Sequence, residues 1–325
     1  MFGIKLKIQK LWLNIKLRKN KDKTGQQVRE TSIFALATSL FSKILILSFF
    51  ALVVLAPFFF MISISLMTDD QSDALKTSPD YIPRTISWIN YWKASHTKAG
   101  AGGYWLSFAI TFTNVLFSIV TKIFITMLAG YAFSIKTWKG KKILWNLFIM
   151  LLVLPEVALL TGQYIVITRL DQYTNIKKTF MGIVAVIALP FIASIFNALM
   201  FRNAFESIPS RIKEVAMIDG AVGPRYFFKI AAPMVTPTTL TIIILTALAS
   251  WNSYLWPALV SSNQFSVMSV WIFNAGVDPD QPDKHKVNLK MAAAVLAILP
   301  MFFTYFIFRK RIMTSISRQG STIKG

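Results

Sequence analysis

The sequence predicts an all-α, polytopic membrane protein, and three observations carry that prediction. Of 325 residues, 54% are hydrophobic and only 15% are charged, against roughly 25% charged in a soluble domain. The charges are segregated, so that short basic clusters separate long uncharged runs. Six of those runs are long enough to cross a ~30 Å hydrocarbon core as helices. The formal net charge of +21 does not point to nucleic acid, because the positive residues flank the apolar runs. The absence of cysteine excludes disulfides and thiolate chemistry, and two histidines far apart, His96 and His285, predict no metal centre.

The six expected spans are Ile44–Thr68, Trp105–Phe133, Ile143–Leu160, Thr179–Phe201, Val235–Val260 and Leu289–Phe308. Pro57, Pro155 and Pro190 fall inside them and are expected to kink or loosen the helices, which is tolerated where neighbouring helices resatisfy the freed carbonyls. The uncharged stretch 264–277 is too short and interrupted to span, and reads as interfacial or re-entrant. Lys and Arg set the orientation. Ten precede Ile44, four lie in 134–142, five in 202–229 and five after Phe308, while the opposite loops together hold ten. Both termini are therefore expected in the cytoplasm and the chain in the cell membrane. Three segments follow: a basic N-terminal arm at 1–43, a six-helix domain at 44–308 and a tail at 309–325. The arm is not expected to be a cleaved signal, since its basic stretch is too long and no small-residue cleavage pattern follows.

Lys122 and Glu156 are the charged residues inside these spans. Lys122 lies 11 residues before Phe133 and Glu156 lies 13 after Ile143, which places both roughly 16–20 Å from one surface at 1.5 Å per residue. Charges at that depth pair or reach a wet cavity. A direct pair and two independent sites, with Lys122 snorkelling and Glu156 facing water or protonated, both satisfy that requirement.

The loop between spans four and five is polar and turns at Gly220. Ser207 or Ser210 is expected to cap a helix with Pro209 near its start. Gly220 supplies a bend that a Cβ resists, and Pro224 opens the next helical piece. The result is a helix–Gly–helix unit projecting from the membrane, a rigid knob suited to a groove on a cytosolic partner. Its segment Glu214-Val215-Ala216-Met217-Ile218-Asp219-Gly220-Ala221, with Ile230 and Pro233, resembles the EAA loop of ATP-binding-cassette (ABC) importers. Val215 and Ala232 depart from that pattern while keeping apolar groups at a packing face.

The flanks resemble the carbohydrate-uptake class of these importers, and specifically the smaller, six-span membrane subunit of maltose-type systems. Ser65-Leu66-Met67-Thr68-Asp69 with Trp88-Ile89-Asn90-Tyr91 is similar to the first outer loop of that class. Leu128-Ala129-Gly130-Tyr131-Ala132-Phe133 with Gly140-Lys141-Lys142 is similar to its first inner loop, and Ser250-Trp251-Asn252-Ser253-Tyr254-Leu255-Trp256-Pro257 to a stretch of span five. Gly320-Ser321-Thr322-Ile323-Lys324-Gly325 approximates the family's tail.

The resemblance implies a permease subunit that forms half of a translocation pathway and converts closure of partner ATPases into alternating access. It implies a second permease subunit, two ATPase subunits and an extracytoplasmic solute-binding protein as partners. ATP and Mg are then bound by the ATPases, with no cofactor in this chain. The chain carries no phosphate loop, so it is not expected to be an enzyme by itself. By the same resemblance Glu214, Ala216, Asp219, Gly220, Ala221, Ile230 and Pro233 dock the ATPase, and Gly320, Ile323 and Lys324 of the tail reach the ATPase dimer. Trp251, Asn252, Tyr254 and Trp256 are candidates to line a sugar pathway, because sugar rings stack on aromatic faces; helix packing and an interfacial aromatic belt account for the same residues. The solute is expected to be a carbohydrate, with glycerol-3-phosphate or a glycerophosphodiester as the alternative. An ion-coupled carrier, the rival from another class, would show repeated halves and buried coupling charges. No repeat is present here.

Overall fold

The computed structural model describes residues 33–96, 102–135, 138–262, 264–277 and 286–321, together with Asn14. The rest of the arm up to residue 32, and Ile323 and Lys324 of the tail, lie outside the described residues. In chain order the helices are α1 (Ile33–Ser65), α2 (Asp69–Ala74), α3 (Ile89–His96), α4 (Gly103–Ser134), α5 (Lys141–Leu151), α6 (Glu156–Thr174), α7 (Phe180–Ala188), α8 (Ile195–Glu206), α9 (Ser210–Ile218), α10 (Pro224–Tyr226), α11 (Thr236–Asn252), α12 (Leu255–Val260), α13 (Met268–Asn274) and α14 (Val287–Ser321). Among the described residues there is no strand.

The chain divides at Phe58 and Phe59 into two units. In the first, the stretch of α1 from residue 37 to 58 is apolar on all sides and its side chains are exposed apart from half-buried Ala56, as a helix solvated by lipid requires. The second unit holds everything that follows.

Three helical stretches are long and apolar enough to cross a membrane alone: Ala37–Ser65, Gly103–Ser134 and Val287–Ile307. Three further stretches reach that length only as bent pairs, so the described residues offer three spans, or up to six if each pair is one. Two of the bends fall at Pro155 and beside Pro190, where the sequence predicts kinks; the bend before Thr236 is the one it did not announce. Lys141–Leu151 and Glu156–Thr174 meet at 98°, Phe180–Phe191 and Ile195–Glu206 at 63°, and Pro224–Met234 and Thr236–Asn252 at 70°. The breaks have local causes. Pro155 occupies the N-cap of α6 and brings no amide to continue the ladder of α5. Pro190 sits in a 3₁₀ turn, Leu189–Phe191, after which Ser194 caps α8 by accepting from the Asn197 amide at 3.3 Å. Pro233 removes the amide that would bond the Lys229 carbonyl in an α-helix, and Phe227–Ala231 winds instead as a π-turn.

The second unit is organised around α4. It packs along α8, α11 and α7, with α3 and α13 near its Gly103 end. Gly130 sets the closest approach. A Cβ there would stand 2.5 Å from Phe201 Cβ and 2.8 and 2.9 Å from backbone atoms of Arg202 and Ala198. Only a residue without a side chain lets α4 and α8 touch backbone to backbone, as small residues do between membrane helices. One face of α4 is a buried polar stripe of Ser107, Thr111, Asn114, Ser118 and Thr126, spaced three, four or eight residues apart as a single helical face demands. Ser107 meets Ser266 at 3.3 Å, and the Met268 amide donates to Thr111 Oγ1 at 2.8 Å. Three threonines of α4 also donate to their own helix four residues back: Thr111 to Ser107, Thr121 to Phe117 and Thr126 to Lys122.

The ends of two spanning helices, α1 and α14, and the short helix α3 converge on the carbonyl of Met67. Asn90 Nδ2 donates to Met67 O at 2.7 Å and to Ser65 O, at the end of α1, at 2.9 Å. Asn288, in the first turn of α14, donates to the same Met67 carbonyl at 3.2 Å and to Asp69 Oδ1 at 2.8 Å, while Lys286 pairs with Asp69 Oδ2 at 3.1 Å. The two segments Ser65–Asp69 and Trp88–Tyr91, separate in the sequence, are thereby one assembly.

Asp69 is held below the ordinary carboxylate range, by the Asn288 hydrogen bond first and by Lys286 next, against partial burial. A depressed folded-state value contributes stability that is complete above the ordinary aspartate value of 3.8 and disappears as the pH falls through the lower folded one. Thermal unfolding in detergent should therefore show a midpoint that drops below that pH. Asp69→Asn should start lower and lose less over the same acid range.

Candidate functional site

The candidate site is the element from Ser210 to Met234, reached from α8. Its first helix, α9, starts after Pro209, which takes the N-cap position without a side-chain bond. The expectation that Ser207 or Ser210 caps it is corrected: the Ser207 hydroxyl donates back to Ala204 O at 2.7 Å, and Ser210 is the first helical residue. The helix ends in a Schellman motif. The Ala221 amide reaches back to Ala216 O at 2.8 Å and the Gly220 amide to Met217 O at 3.1 Å, while Gly220 takes φ +67°. This pattern satisfies the carbonyls that a helix end leaves open. A Cβ on Gly220 would meet nothing within 4 Å, so the demand for glycine there is conformational and not steric.

Gly223, which the sequence reading did not single out, carries the second turn. Its φ of 58° and ψ of −130° mirror the extended conformation that a residue before proline normally adopts, and Pro224 follows. Only an achiral residue takes the mirror image at no cost. The signal was present as a glycine preceding proline.

Beneath this turn lies an aromatic core. Phe201, Phe205, Phe227 and Ala231 are buried together, with Tyr131 of α4 against them. The Tyr131 ring lies 5.3 Å from Phe205 and 4.8 Å from Phe227. Each fully buried phenylalanine contributes about 2 kcal/mol of apolar burial, so the element is welded to α4 and α8. Ala216 is buried, whereas Glu214, Asp219 and Gly220 are exposed. Ala221 and Ile230 are half-buried and Pro233 is exposed. The tip is apolar: Val215, Met217, Ile218 and Val222 are exposed, Ile218 to 85%. An apolar, rigid, projecting tip on a base of this kind is a contact surface.

The other sequence candidates fall in two places. Trp251, Asn252 and Tyr254 surround the break between α11 and α12. Trp251 is half-buried and edge-on to Phe108 at 6.2 Å, Asn252 turns its amide back to Leu248 O at 2.9 Å, and exposed Tyr254 lies over Phe273 at 4.5 Å. Trp256 is instead a core anchor, buried with its indole N–H on Val186 O at 3.1 Å. Lys122 is half-buried and Glu156 exposed at the first position of α6. The 98° bend removes the depth argument drawn from one straight span, yet it still brings the Glu156 carboxylate within electrostatic range of Lys122. Among the described residues no ion pair within 4.0 Å joins them. Gly320 lies in the last turns of α14.

A bundle of apolar helices of this kind is the architecture of a membrane permease. The chain belongs to the family of binding-protein-dependent transport system inner membrane components, whose family model matches residues 122–318. It is 40% identical over 323 residues to a probable ABC transporter permease protein of Mycoplasma pneumoniae, covering 97% of this chain and 98% of that one. It is 25% identical over 295 residues to the arabinooligosaccharides transport system permease protein AraQ of Bacillus subtilis, covering 90% and 97%. The fold is similar to that of a chain in the crystal structure of a bacterial ABC transporter involved in the import of the acidic polysaccharide alginate. There the TM-score is 0.66 at 22% identity, over 87% of this chain and 99% of that chain.

Two expectations follow. Gly220→Val should destabilise the turn by about 1–2 kcal/mol, because an L-residue is forced left-handed, whereas Gly220→Asn should retain most of it. Faster hydrogen–deuterium exchange in 210–223 for the valine variant, and near-native exchange for asparagine, checks this. For the intramembrane charges, Lys122→Met and Glu156→Gln should each lower folded yield, and the double change should recover part of the loss. Strict additivity in that double-mutant cycle would mean two independent sites.

Proposed function

We propose that this chain is a permease subunit of an ABC importer for a carbohydrate or related solute, and that residues 202–233 dock its ATPase. The observation that supports the reading most directly is the Schellman-capped turn at Gly220, with its exposed tip of Val215, Met217, Ile218 and Val222 standing on buried Phe205 and Phe227. A tip that only contacted water would have no use for that apolar face.

In this reading the chain crosses the membrane six times, each bent pair counting as one span, with both termini cytoplasmic. The basic loops 134–142 and 202–229 then share the cytoplasmic side with the tip, in keeping with the positive-inside rule. A second permease subunit completes the pathway, and two ATPase subunits, which bind ATP and Mg, sit beneath. The family's own description makes transport dependent on a binding protein, and an extracytoplasmic one delivers the solute here. The relative AraQ favours an oligosaccharide. Closure of the ATPases moves the tip as a rigid body, because the helix end is fully bonded and its base is packed against Tyr131 of α4. Motion at the tip therefore reaches the spanning helices directly instead of being absorbed in a loop. Trp251, Asn252 and Tyr254, at the helix break, offer aromatic faces and an amide of the kind a sugar requires. Irregular backbone at membrane depth belongs beside a cavity or inside protein.

The test is capture of the ATPase. The chain should co-purify with it, and Glu214→Lys or Ile218→Asp should weaken that association by about tenfold or more, as unfavourable charge at an interface does, while membrane insertion stays intact. Solute-stimulated ATPase activity should fall in parallel. Full capture and full activity in both variants would overturn the docking assignment.

A further inference from the structure

Helix α3 is amphipathic in the reverse sense for a helix bathed in water. Its inward face is polar or small: Asn90 is 1% exposed and Ala94 is buried. Its outward face is aromatic, with Trp88 just before the helix 69% exposed and Trp92 one turn later 59% exposed. His96, a turn further, stacks on Trp92 at 4.5 Å, which extends the flat surface. Two neighbouring indoles left to water would forgo several kcal/mol of burial, so this face has a cover.

The hydrogen bonds of α3 fix where that cover must lie. Asn90 donates to Ser65 O and Met67 O, at the end of the spanning stretch Ala37–Ser65. The Tyr91 hydroxyl meets Ser65 Oγ at 2.6 Å. Ala94 packs in one core cluster with Tyr104, in the first turn of the spanning helix α4, and with Ala292 of α14. Helix α3 therefore sits level with the ends of three spans, at the depth where hydrocarbon gives way to headgroups. Tryptophan is enriched at that depth because its ring is apolar and its N–H needs a partner.

We propose that α3 lies in the membrane plane with Trp88 and Trp92 inserted among the headgroups and glycerol backbones of one phospholipid leaflet. It is an interfacial anchor that holds the Met67 assembly at a defined depth. The occupant is lipid, not a protein subunit, because the spanning helix α4, against which α3 packs, also turns an indole outward at this level: Trp105, next to buried Tyr104, is 67% exposed. The inference rests on membrane residence of the spans and not on ATPase docking, so the two can fail separately.

The chain contains no cysteine, so background removal is needed only in the partner subunits. Trp88→Cys and Trp92→Cys, each carrying a nitroxide, should be placed in the assembled transporter in phosphatidylcholine–phosphatidylglycerol liposomes, with Thr77→Cys as the water-exposed reference. At 88 and 92, accessibility to oxygen should exceed accessibility to a nickel chelate several-fold, with the order reversed at 77. A chelate accessibility equal to that at 77 would overturn the proposal by showing the face in water. Low accessibility to both reagents would overturn it by showing a protein cover. A conservative check avoids the labels: Trp88→Phe/Trp92→Phe should lose a fraction of the emission quenched by lipids brominated near the carbonyl, and an unchanged quenched fraction would count against the anchor.

Discussion

The second unit of the molecule hangs on the main-chain carbonyl of Met67. Asn90 and Asn288, distant in the sequence and buried among apolar neighbours, both donate to it. In a low-dielectric setting a side-chain amide without a partner is costly, so such a convergence specifies one arrangement far more sharply than apolar packing does. The end of α1, the connection carrying α3 and the start of α14 are thereby held in register. The ion pair of Lys286 with Asp69 closes the same assembly from its more exposed side. Little energy comes from that pair alone; its geometric role is to keep Asp69 turned toward Asn288.

From this fixed end, α4 carries the arrangement across to the opposite end of the bundle. Its buried polar stripe and Gly130 are two ways of letting helices approach where the hydrophobic effect between them is absent. The same helix ends beside the aromatic base of the docking element through Tyr131. One continuous element thus links the Met67 assembly, the middle of the bundle and the turn at Gly220, while the bent pairs around it supply breaks where rigid pieces can reorient.

Much of this was legible in the sequence because hydropathy, charge and turn chemistry are local. The apolar runs mark α1, α4 and α14, and Gly220 announced its own conformation. What sequence reasoning missed depends on contacts between segments. Pro155 and Pro190 announced kinks, but the size of those bends, 98° and 63°, and the whole 70° bend before Thr236 depend on neighbours able to complete the freed groups, and hydropathy does not register direction. The reading of Ser207 and Ser210 as caps failed because Ser207 found a nearer acceptor in its own preceding helix. Trp256 looked like its neighbours Trp251 and Tyr254, yet the Val186 carbonyl captured it for the core. The role of Gly130 was visible only as part of a resemblance, since nothing near it in the chain reveals that Phe201 would occupy the space of a side chain.

The hydroxyls of α4 have a consequence for how such a chain is made. Thr111, Thr121 and Thr126 donate to carbonyls of their own helix, so two hydroxyls of the stripe, and Thr121 outside it, are already satisfied before any neighbour arrives. Apart from Asn114 and Lys122, which alone carry a substantial desolvation cost, the helix enters the bilayer as an almost self-sufficient segment. Partitioning and assembly are thus separable events. During biogenesis the earliest-inserted central helix waits for α7, α8 and α11 without exposing a strongly polar surface to the acyl chains.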